Sequence, residues 1–433
     1  MQPLIREQVR PTVRERISVS FKHLAPSGPA VGQYNGIAVN AYGVLPGETA
    51  LITVAKHSRG ILLGDVIQIT DPHPARRVVH EDHARFCSPW QIMEYPLQAE
   101  IKEGWITELV NTPDVFFAAP QEFGYRTKIE YGFMKHKGEL TFSLRGHTTQ
   151  IPVPSLCRLA SPQMNEAALE ILQTLRRSEI DASFLRSLVV RESKTNGSII
   201  AVLYLRAVTT IPLRLADLSQ LAGLTIAVAI PNVSTGIPAQ VLRQEGHSYI
   251  EETIHGLTIR YPFDAFWQTN TSLFNKALQT IQDIVPEGSS LCELYAGTGV
   301  IGLSLHSKNV NVQGYEHSAA MVRAAADNAT RNGILGATFT QLSDEAFGLR
   351  HLVKRDGLLV DPPRKGLSPQ VHKMIDIHPP EFLIYLGCNI ATLARDIRQL
   401  LKHYNITHVS GYDFYPNTPY VETLVKLERK TDL

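Results

Sequence analysis

Short runs of alternating apolar and polar residues, separated by glycine and proline, fill the first part of the chain. The runs ISVSFKH, GIAVNAYGV, ETALITVAKHS and GDVIQIT predict strands, and Pro46-Gly47 predicts a turn between two of them. Several short strands in succession are typical of a small barrel. We therefore predict a small N-terminal β-barrel over residues 12–72, followed by an irregular linker rich in proline and histidine.

A second group of elements mixes helices with strands. Residues 91–111 and 165–177 place apolar side chains at mostly helical spacing, with charged residues between them, so both predict amphipathic helices. The runs YRTKIEYGFM, ELTFSLRG, SIIAVLYLRAV and LTIAVAI predict strands. Together these elements predict an α+β middle domain over residues 90–257.

From residue 258 onward, predicted strands alternate with predicted helices. The strands are SSLCELYAG, VNVQGYEH, GLLVDPP and FLIYLGC, and the helices are SLFNKALQTIQDIV, VIGLSLHS, AAMVRAAADNATRNG and ATLARDIRQLLKHY. Alternation of this length predicts a doubly wound, mostly parallel sheet of the Rossmann-like type. The expected fold class is multidomain α/β, with the last domain over residues 258–433.

Length and composition agree with several domains of a cytoplasmic protein. The 433 residues exceed the length at which single hydrophobic cores stop growing, about 250–300 residues. No apolar run approaches the ~18–20 residues of a membrane span, and the N-terminus lacks the apolar core of a secretory signal. The formal net charge of +1 neither indicates nor excludes a polyanionic partner.

A glycine-containing turn, ELYAGTGVIG at residues 293–302, lies between a predicted strand and a predicted helix. Gly297 and Gly299 let the backbone approach a ligand closely, at the kind of strand end where open α/β sheets bind nucleotides. Glu316 follows about twenty residues later, where a carboxylate can accept hydrogen bonds from both ribose hydroxyls. The spacing predicts an adenosine-containing ligand, and by itself leaves both NAD and S-adenosylmethionine open.

Three further candidate residues stand at predicted strand ends. Asp361 begins the rigid loop DPPRKG, and Cys388 precedes a helix whose dipole favours a thiolate nucleophile. Glu422 begins the last predicted strand, VETLVKLER. Each residue alone also has an ordinary structural explanation, because most isolated cysteines are inert core residues and most acids at strand ends are solvated.

Four blocks in fixed order resemble the RNA uracil-C5 methyltransferases, which make 5-methyluridine in tRNA and rRNA. The blocks are ELYAGTGVIGL, VDPPRKGL, YLGCNIATLARD and DFYPNTPYVETLVKLER. FWQTN at residues 266–270 resembles the family's Phe-Phe-Gln-x-Asn signature, residues 125–128 resemble its Tyr-Arg-Asn-Lys stretch, and the N-terminal strands resemble its TRAM barrel. The resemblance implies S-adenosylmethionine as cofactor and structured tRNA or rRNA as substrate, and no obligate protein partner is indicated.

The resemblance also implies roles for individual residues. Cys388 would be the nucleophile that adds to C6 of a flipped uridine, and Glu422 the base that removes the C5 proton. The implied cofactor-binding residues are Gln268, Tyr295, Gly297, Gly299, Glu316 and Asp361. Arg126 and Lys128 are candidates for phosphate contacts, with solvated strand charges as the alternative. Three residues could orient the catalytic loops or stabilise charge: Arg364, Asn389 and Arg395.

The chain departs from the family pattern at several positions. Val300 stands where asparagine is frequent, which predicts one lost cofactor hydrogen bond, and Gly387 stands where serine is frequent. Many relatives hold an iron–sulfur cluster through a C-x5-C-x2-C run and a later cysteine. The corresponding positions here are Glu81, Cys87, Trp90 and Cys157. Because two ligands are missing, we predict no cluster.

A zinc site in the same region is also not predicted. The residues that could form it are His73, His80, His83 and Cys87. Their spacing fits no standard zinc site, and the four cysteines of the chain form no CxxC pair. The sequence therefore predicts no metal.

Other functions remain open at this point. A class I methyltransferase acting on an amino nitrogen would share the glycine turn and an Asp-Pro-Pro motif, but it would not need Cys388. A non-catalytic RNA-binding protein with a degenerate methyltransferase domain is the alternative from a different class, and Val300 gives it slight support. A dehydrogenase is least favoured, because no residues suited to hydride transfer accompany the glycine turn.

Overall fold

The computed structural model describes residues 11–145, 150–153, 156–178, 180–231 and 237–431. These residues fall into two compact units: one runs through Trp105 and includes Tyr415–Tyr420, and the other comprises Ile106–Phe414 and the residues from Val421 onward. The N-terminal segment considered for a secretory signal lies partly outside the described residues. No helix in the described part of the chain has the length and apolar character needed to cross a membrane.

The first unit contains a closed five-stranded barrel. Its strands are β1 (Arg16–Leu24), β2 (Ala30–Tyr34), β3 (Ile37–Ala41), β4 (Thr49–Ser58) and β5 (Ile61–Asp71), arranged as β1-β2-β3-β5-β4. Exposed and buried residues alternate along most of β1, because successive side chains of a strand point to opposite faces. The barrel is followed by α1 (Ala84–Cys87) and α2 (Tyr95–Leu109). The small N-terminal barrel predicted from the sequence is confirmed.

The second unit contains two large sheets. The first strand of the first sheet along the chain begins at Lys128. After the short β6 (Val115–Phe117), its strands are β7 (Lys128–His136), β8 (Glu139–Arg145), β9 (Gln150–Pro152), β10 (Leu185–Glu192), β11 (Ile199–Leu205), β12 (Gly223–Ala229) and β13 (Pro238–Gly246). Their order is β13-β12-β11-β10-β7-β8-β9. Helix α3 (Pro162–Arg177) packs on β8 and β10. A hairpin of β14 (Tyr249–Ile254) and β15 (Leu257–Pro262) follows, and the predicted α+β arrangement is confirmed.

The second large sheet of this unit is the predicted Rossmann-like sheet. Its strands are β16 (Ser290–Leu294), β17 (Asn311–Glu316), β18 (Ala337–Gln341), β19 (Gly357–Val360), β20 (Phe382–Gly387), β21 (Tyr404–Tyr412) and β22 (Glu422–Arg429). Together with β6 they are ordered β18-β17-β16-β19-β20-β22-β21-β6. The helices are α4 (Thr271–Ile284), α5 (Val300–Ser304), α6 (Ala319–Arg331), α7 (Pro369–Ile377) and α8 (Ile390–Leu400). The mostly parallel sheet is confirmed, and β22 is the strand that runs antiparallel to β20.

The register of the parallel strands brings the motif loops to one edge of this sheet. Leu294 at the end of β16 pairs with Val360 at the end of β19, and Val360 pairs with Tyr385 near the end of β20. The loops that follow these three strands therefore begin side by side. This edge is where open α/β sheets bind their ligands.

Candidate active site

Cys388 and Glu422 come together at the boundary between β20 and β22. Cys388 is half-buried and directly follows β20, while Glu422 is fully buried and begins β22. Gly387 pairs with Thr423, so one further step of the same register sets Cys388 opposite Glu422. In a regular antiparallel pair such residues have Cβ atoms about 4.5–5.5 Å apart. The fold therefore brings the thiol and the carboxyl group into the same site.

The raised pKa of the Cys388 thiol favours its protonated form at neutral pH. Burial raises its pKa to about 12, with further contributions from the negative charges of Glu422 and Asp361, while Arg364 acts in the opposite direction. The sequence had suggested that the helix dipole of α8 would favour the thiolate. The raised pKa differs from this expectation because desolvation and two neighbouring carboxyl groups have a larger effect on the thiol than the helix N-terminus.

Asp361 lies in the same site, at the end of β19. Burial raises the pKa of its carboxyl group to about 7, and a hydrogen bond from Gln268 acts in the opposite direction. Gln268 is buried, and its Nε2 donates to Asp361 Oδ2 at 3.5 Å. The segment that carries Gln268 is fixed by the Thr127 N–H, which donates to the Thr269 carbonyl oxygen at 3.1 Å. Two separate motifs of the sequence therefore meet at Asp361.

The turn after β16 has an unusual backbone. Tyr295, Gly297 and Gly299 have positive φ values of 62°, 53° and 81°. A Cβ added to Gly299 would lie 2.7 Å from the Phe339 ring, whereas a Cβ on Gly297 would meet no atom within 4 Å. Gly297 thus faces open space that a ligand can enter. The Tyr295 hydroxyl donates to Asp344 Oδ2 at 2.9 Å.

Glu316, at the end of β17, is linked directly to this turn. Its Oε2 accepts a hydrogen bond from the Gly297 N–H at 3.1 Å, and its Oε1 accepts one from the Ser318 N–H at 2.9 Å. Each carboxylate oxygen has two lone pairs, so these backbone contacts orient the group and leave capacity for a ligand's hydroxyls. The structure thus places Glu316 beside the glycine turn, and its contact with ribose hydroxyls stays a prediction.

Glu293 belongs to the same region and was missed as a functional residue by the sequence analysis. It is buried at the end of β16, and its Oε1 accepts a hydrogen bond from the Gly302 N–H at 3.2 Å. Burial raises the pKa of its carboxyl group to about 8, and Asp361 and Glu316 add to the shift. Its Oε2 has no hydrogen-bond partner among the described residues. An acid inside an apolar strand directly before a glycine turn is the signal that could have identified it.

Val300 begins α5 directly after the turn, and its side chain is buried. An isopropyl group offers neither a donor nor an acceptor. The sequence predicts that one hydrogen bond to the cofactor is missing at this position. The apolar side chain agrees with this prediction.

Arg126 and Lys128 lie on either side of Thr127, next to the segment that carries Gln268. The Arg126 N–H donates to the Leu159 carbonyl oxygen at 3.0 Å. Lys128 pairs across the sheet with Arg191, and its Nζ lies 4.0 Å from Glu130 Oε2. Burial lowers the pKa of Lys128, and the charge of Arg191 lowers it further. Two cationic residues therefore flank Thr127, whose backbone N–H is bonded to the segment that carries Gln268.

The residues considered for zinc are spread over the first unit. His73 Nδ1 accepts a hydrogen bond from the Ala75 N–H at 3.0 Å. His83 is fully buried, with its Nε2 3.6 Å from Glu81 Oε1 and a ring nitrogen within 4.8 Å of Cys87 Sγ. Among the described residues, neither His73 nor His80 belongs to the cluster that contains His83 and Cys87, and the absence of a bound metal stays a prediction.

Comparison with known proteins identifies the family of this chain. A model of the tRNA (uracil-5-)-methyltransferase family matches residues 98–430. An uncharacterised RNA methyltransferase of Caldanaerobacter subterraneus is 26% identical, over 96% of this chain and 99% of its own. The tRNA (uracil(54)-C(5))-methyltransferase of Pyrococcus furiosus is also 26% identical, over 78% of this chain and 82% of its own.

A solved structure has the same fold. It is the tRNA (uracil-54, C5)-methyltransferase of Pyrococcus abyssi in complex with S-adenosyl-L-homocysteine, with a TM-score of 0.80, 21% identity, and coverage of 95% of this chain and 99% of that one. The expected enzyme class and cofactor agree with the family that the chain matches. The chain belongs to the tRNA (uracil-5-)-methyltransferase family, whose members are S-adenosylmethionine-dependent RNA methyltransferases.

Proposed function

We propose that this protein methylates C5 of a uridine in tRNA through a covalent adduct between Cys388 and C6 of the base. The observation that carries the proposal is the meeting of Cys388, Glu422 and Asp361 beside the glycine turn at one sheet edge. The family match and the Pyrococcus furiosus relative support tRNA as the substrate and position 54 as its target.

The residues present fit S-adenosylmethionine. Gly297 faces open space, Glu316 is oriented beside it, and Glu293 Oε2 has no hydrogen-bond partner among the described residues. When bound, the cofactor supplies an electrophilic methyl group and a positive charge. Glu316 is suited to accept hydrogen bonds from the ribose hydroxyls. We expect Gln268 and Asp361, which are joined by a hydrogen bond, to contact the cofactor or the base beside it.

The Cys388 thiol must first lose its proton to solvent water, because Glu422 has to remain a carboxylate for the later step. Glu422 and Asp361 raise its pKa through their negative charges, so a cation bound near them offsets this effect and favours the thiolate. Arg364 acts in the same direction. We therefore expect Cys388 to become nucleophilic only in the loaded site, which protects the free enzyme from side reactions.

The covalent step makes C5 of the uracil nucleophilic. The electron pair of Cys388 Sγ forms a bond to C6, and the C5–C6 π pair moves towards the C4 carbonyl oxygen. C5 would then bond to the methyl group with this electron pair, while the methyl–sulfur bond of the sulfonium would break and leave its electron pair on the sulfur. Glu422 removes the C5 proton, the C5–H pair re-forms the C5–C6 double bond, and the Sγ–C6 bond breaks to return the thiolate.

The uridine has to leave its base stack to reach this site, because a buried thiol cannot approach C6 of a base that is stacked in an RNA helix. We propose that Arg126 and Lys128 hold phosphates next to the flipped nucleotide. The barrel at residues 12–72 and the middle domain at 90–257 would then contact RNA, and residues 258–433 would carry the chemistry. The expected cytoplasmic location stays a prediction that cell fractionation tests.

Nucleoside mapping in cells with and without the gene tests the function directly. We expect 5-methyluridine at one tRNA position to disappear on deletion and to return with the wild-type gene but not with Cys388→Ala. A Cys87→Ala gene is the control, because Cys87 lies in the first unit and outside the proposed site. Loss of the modification from ribosomal RNA instead would contradict tRNA as the substrate, and full rescue by Cys388→Ala would contradict the mechanism.

A further inference from the structure

Asp396 is a fully buried carboxyl group in the interior of helix α8, outside the reacting groups described above. It collects an unusual number of hydrogen bonds. The donors are the Leu367 N–H at 2.9 Å, the Tyr385 hydroxyl at 2.9 Å, Arg395 Nε at 2.9 Å, Arg395 Nη2 at 2.7 Å and His372 Nε2 at 3.3 Å. A buried carboxyl group requires such partners, because an unpaired one would cost far more than the fold could offset.

The hydrogen bonds keep this group charged. Burial alone would raise its pKa, but the hydrogen bonds from His372, Leu367 and Arg395 lower it below the ordinary value. Hydrogen bonds to a charged acceptor are shorter and stronger than neutral ones. Asp396 is thus a rigid anchor that holds its donors in fixed positions.

Three of the donor residues, Leu367, Tyr385 and Arg395, belong to the loop, strand and helix next to the proposed catalytic groups, and His372 lies on α7. Leu367 lies in the loop that begins at Asp361, and Tyr385 lies in β20, three residues before Cys388. Asp396 itself lies on α8, which begins two residues after Cys388. One carboxylate therefore connects the Asp361 loop to both elements that flank the nucleophile.

Two more contacts join the same loop to α8. Asn389 Nδ2 donates to the Arg364 carbonyl oxygen at 3.3 Å, and Arg395 Nη2 donates to the Lys365 carbonyl oxygen at 2.9 Å. Arg395 contacts the loop and Asp396 at the same time. The loop is therefore attached to α8 at successive backbone positions.

Gly366 shows how closely the loop approaches the carboxylate. Its φ is +82°, and a Cβ added there would lie 2.3 Å from Asp396 Oδ2 and 2.5 Å from Thr392 Cγ2. Only glycine fits, because both the backbone conformation and the close approach exclude a side chain. The sequence DPPRKGL thus folds directly onto Asp396.

We propose that Asp396 is a positioning residue that fixes the Asp361 loop relative to Cys388, and so sets the geometry in which the base is attacked. This inference rests on the proposed function. Asp396 touches neither substrate nor cofactor in this account. Its effect on the reaction comes through the loop, and misplacement of a reacting group by about 1 Å can lower a rate by about 100-fold.

The test uses Asp396→Asn, which keeps the shape of the side chain and removes its charge. With saturating cofactor and tRNA, we expect the single-turnover methylation rate to fall at least about tenfold, while the dissociation constants for S-adenosylmethionine and tRNA change less than about threefold. Hydrogen–deuterium exchange of the backbone over residues 362–368 should become faster in the variant. This second measurement does not depend on activity.

Glu252→Gln is the matched control. Glu252 is also fully buried, and its carboxylate accepts hydrogen bonds from the backbone N–H groups of Lys194 and Thr195 and from the Thr195 hydroxyl. This variant should lose stability but keep the methylation rate and the exchange of residues 362–368. Equal rate losses in the two variants would reduce Asp396 to a general structural role and overturn the proposal.

Two other outcomes would also overturn the positioning role of Asp396. Unchanged exchange of the loop in Asp396→Asn would overturn the positioning role, whatever the activity. Faster exchange with an unchanged methylation rate would overturn it as well. A wild-type protein that methylates no RNA would instead overturn the proposed function itself, and the exchange measurement would still report whether Asp396 holds the loop.

Discussion

Cys388 stands opposite Glu422 one register step beyond the Gly387–Thr423 pair of strands β20 and β22. One residue follows the last position of β20, and the other is the first residue of an antiparallel neighbour. Their separation is therefore set by the hydrogen bonds of the sheet rather than by a loop. A nucleophile and a base held in this way keep their geometry without help from the substrate.

The first prediction concerns the reactivity of the Cys388 thiol. With a pKa of about 12, it should react slowly with iodoacetamide at neutral pH, and the rate should rise about tenfold per pH unit between pH 7 and 9. Glu422→Gln removes a neighbouring negative charge, so it should lower the thiol pKa and increase the rate at pH 8 several-fold. Mass spectrometry of the Cys388 peptide measures both effects.

Glu428→Gln is the control for this measurement. Glu428 lies on the same strand, but it is half-exposed and pairs with Lys426 at 2.7 Å. Its replacement should leave the alkylation rate unchanged. Equal rates in Glu422→Gln and Glu428→Gln would mean that Glu422 does not act on the thiol.

The second prediction concerns Asp361 and the pH dependence of stability. Burial raises its pKa from 3.8 to about 7, so the folded protein holds the proton more tightly than the unfolded chain. Unfolding then releases a proton, and this group's contribution to stability is lost as the pH rises from about 4 to 7. Asp361→Asn should therefore be more stable than the wild type at pH 8 by roughly 2 kcal/mol, after allowance for partial exposure.

Urea unfolding of both proteins at pH 4.5 and pH 8 measures this difference. The gain should shrink at pH 4.5, where the wild-type carboxyl group is protonated. The same variant should lose most of its methylation activity. A stability gain that is equal at both pH values would contradict a raised pKa for Asp361.

The third prediction concerns cofactor affinity. Glu316→Ala should weaken S-adenosylmethionine binding about ten- to 100-fold, because a hydrogen bond to a charged group contributes about 1.5–3 kcal/mol. His317→Ala is the matched control: its side chain is 73% exposed, although its Nδ1 lies 2.7 Å from Glu316 Oε1. Exposed ion pairs contribute little, so this variant should bind within about twofold of the wild type. Calorimetric titration in which Glu316→Ala and the wild type bind equally would exclude Glu316 from the cofactor site.

The fourth prediction concerns RNA phosphates. Lys128→Ala should weaken tRNA binding and lower the slope of log K against log salt by about 0.7–0.9, the value for one lost phosphate contact. Lys135 lies on the same strand seven residues further on, so its side chain points to the opposite face, and it is exposed. Lys135→Ala should leave the slope unchanged. Identical slopes for both variants would mean that Lys128 is an ordinary surface charge.

Local sequence patterns predicted the positions of the motif loops correctly. Apolar runs predicted β16, β19 and β20, and the rule that ligands bind at the carboxyl ends of parallel strands placed Gly297, Asp361 and Cys388 at one edge. Strand alternation also predicted the barrel. These features depend on a few consecutive residues, so a single sequence contains the information.

Elements with weak local signals were missed. Strand β18 is a half-exposed edge strand with little apolar character, and the sequence analysis assigned neither it nor β21. Helix α7 has nine residues, with Ser368 as its N-cap and Pro369 at its first position. The Ser-Pro pair was a signal for this helix that the apolar periodicity alone did not reveal.

The proximity of Cys388 and Glu422 depends on distant parts of the chain. It requires β22 to pair with β20 in one particular register, and β20 and β22 are separated by α8 and β21. The raised pKa of Cys388 has the same origin, because burial and neighbouring charges exist only in the folded protein. Family resemblance implied that the two residues act together, but local patterns could not show that they meet.

In the proposed reaction, Cys388 forms a bond to the uracil and Glu422 resolves the adduct. tRNA containing 5-fluorouridine tests it, because the fluorine at C5 cannot be removed as a proton and the adduct persists. With S-adenosylmethionine, the wild-type protein should form a complex with this tRNA that survives a denaturing gel, and Cys388→Ala should form none. Glu422→Gln should accumulate the same kind of complex with ordinary tRNA. Methylation of ordinary tRNA without any trapped complex, or trapping by Cys388→Ala at the wild-type level, would contradict the account.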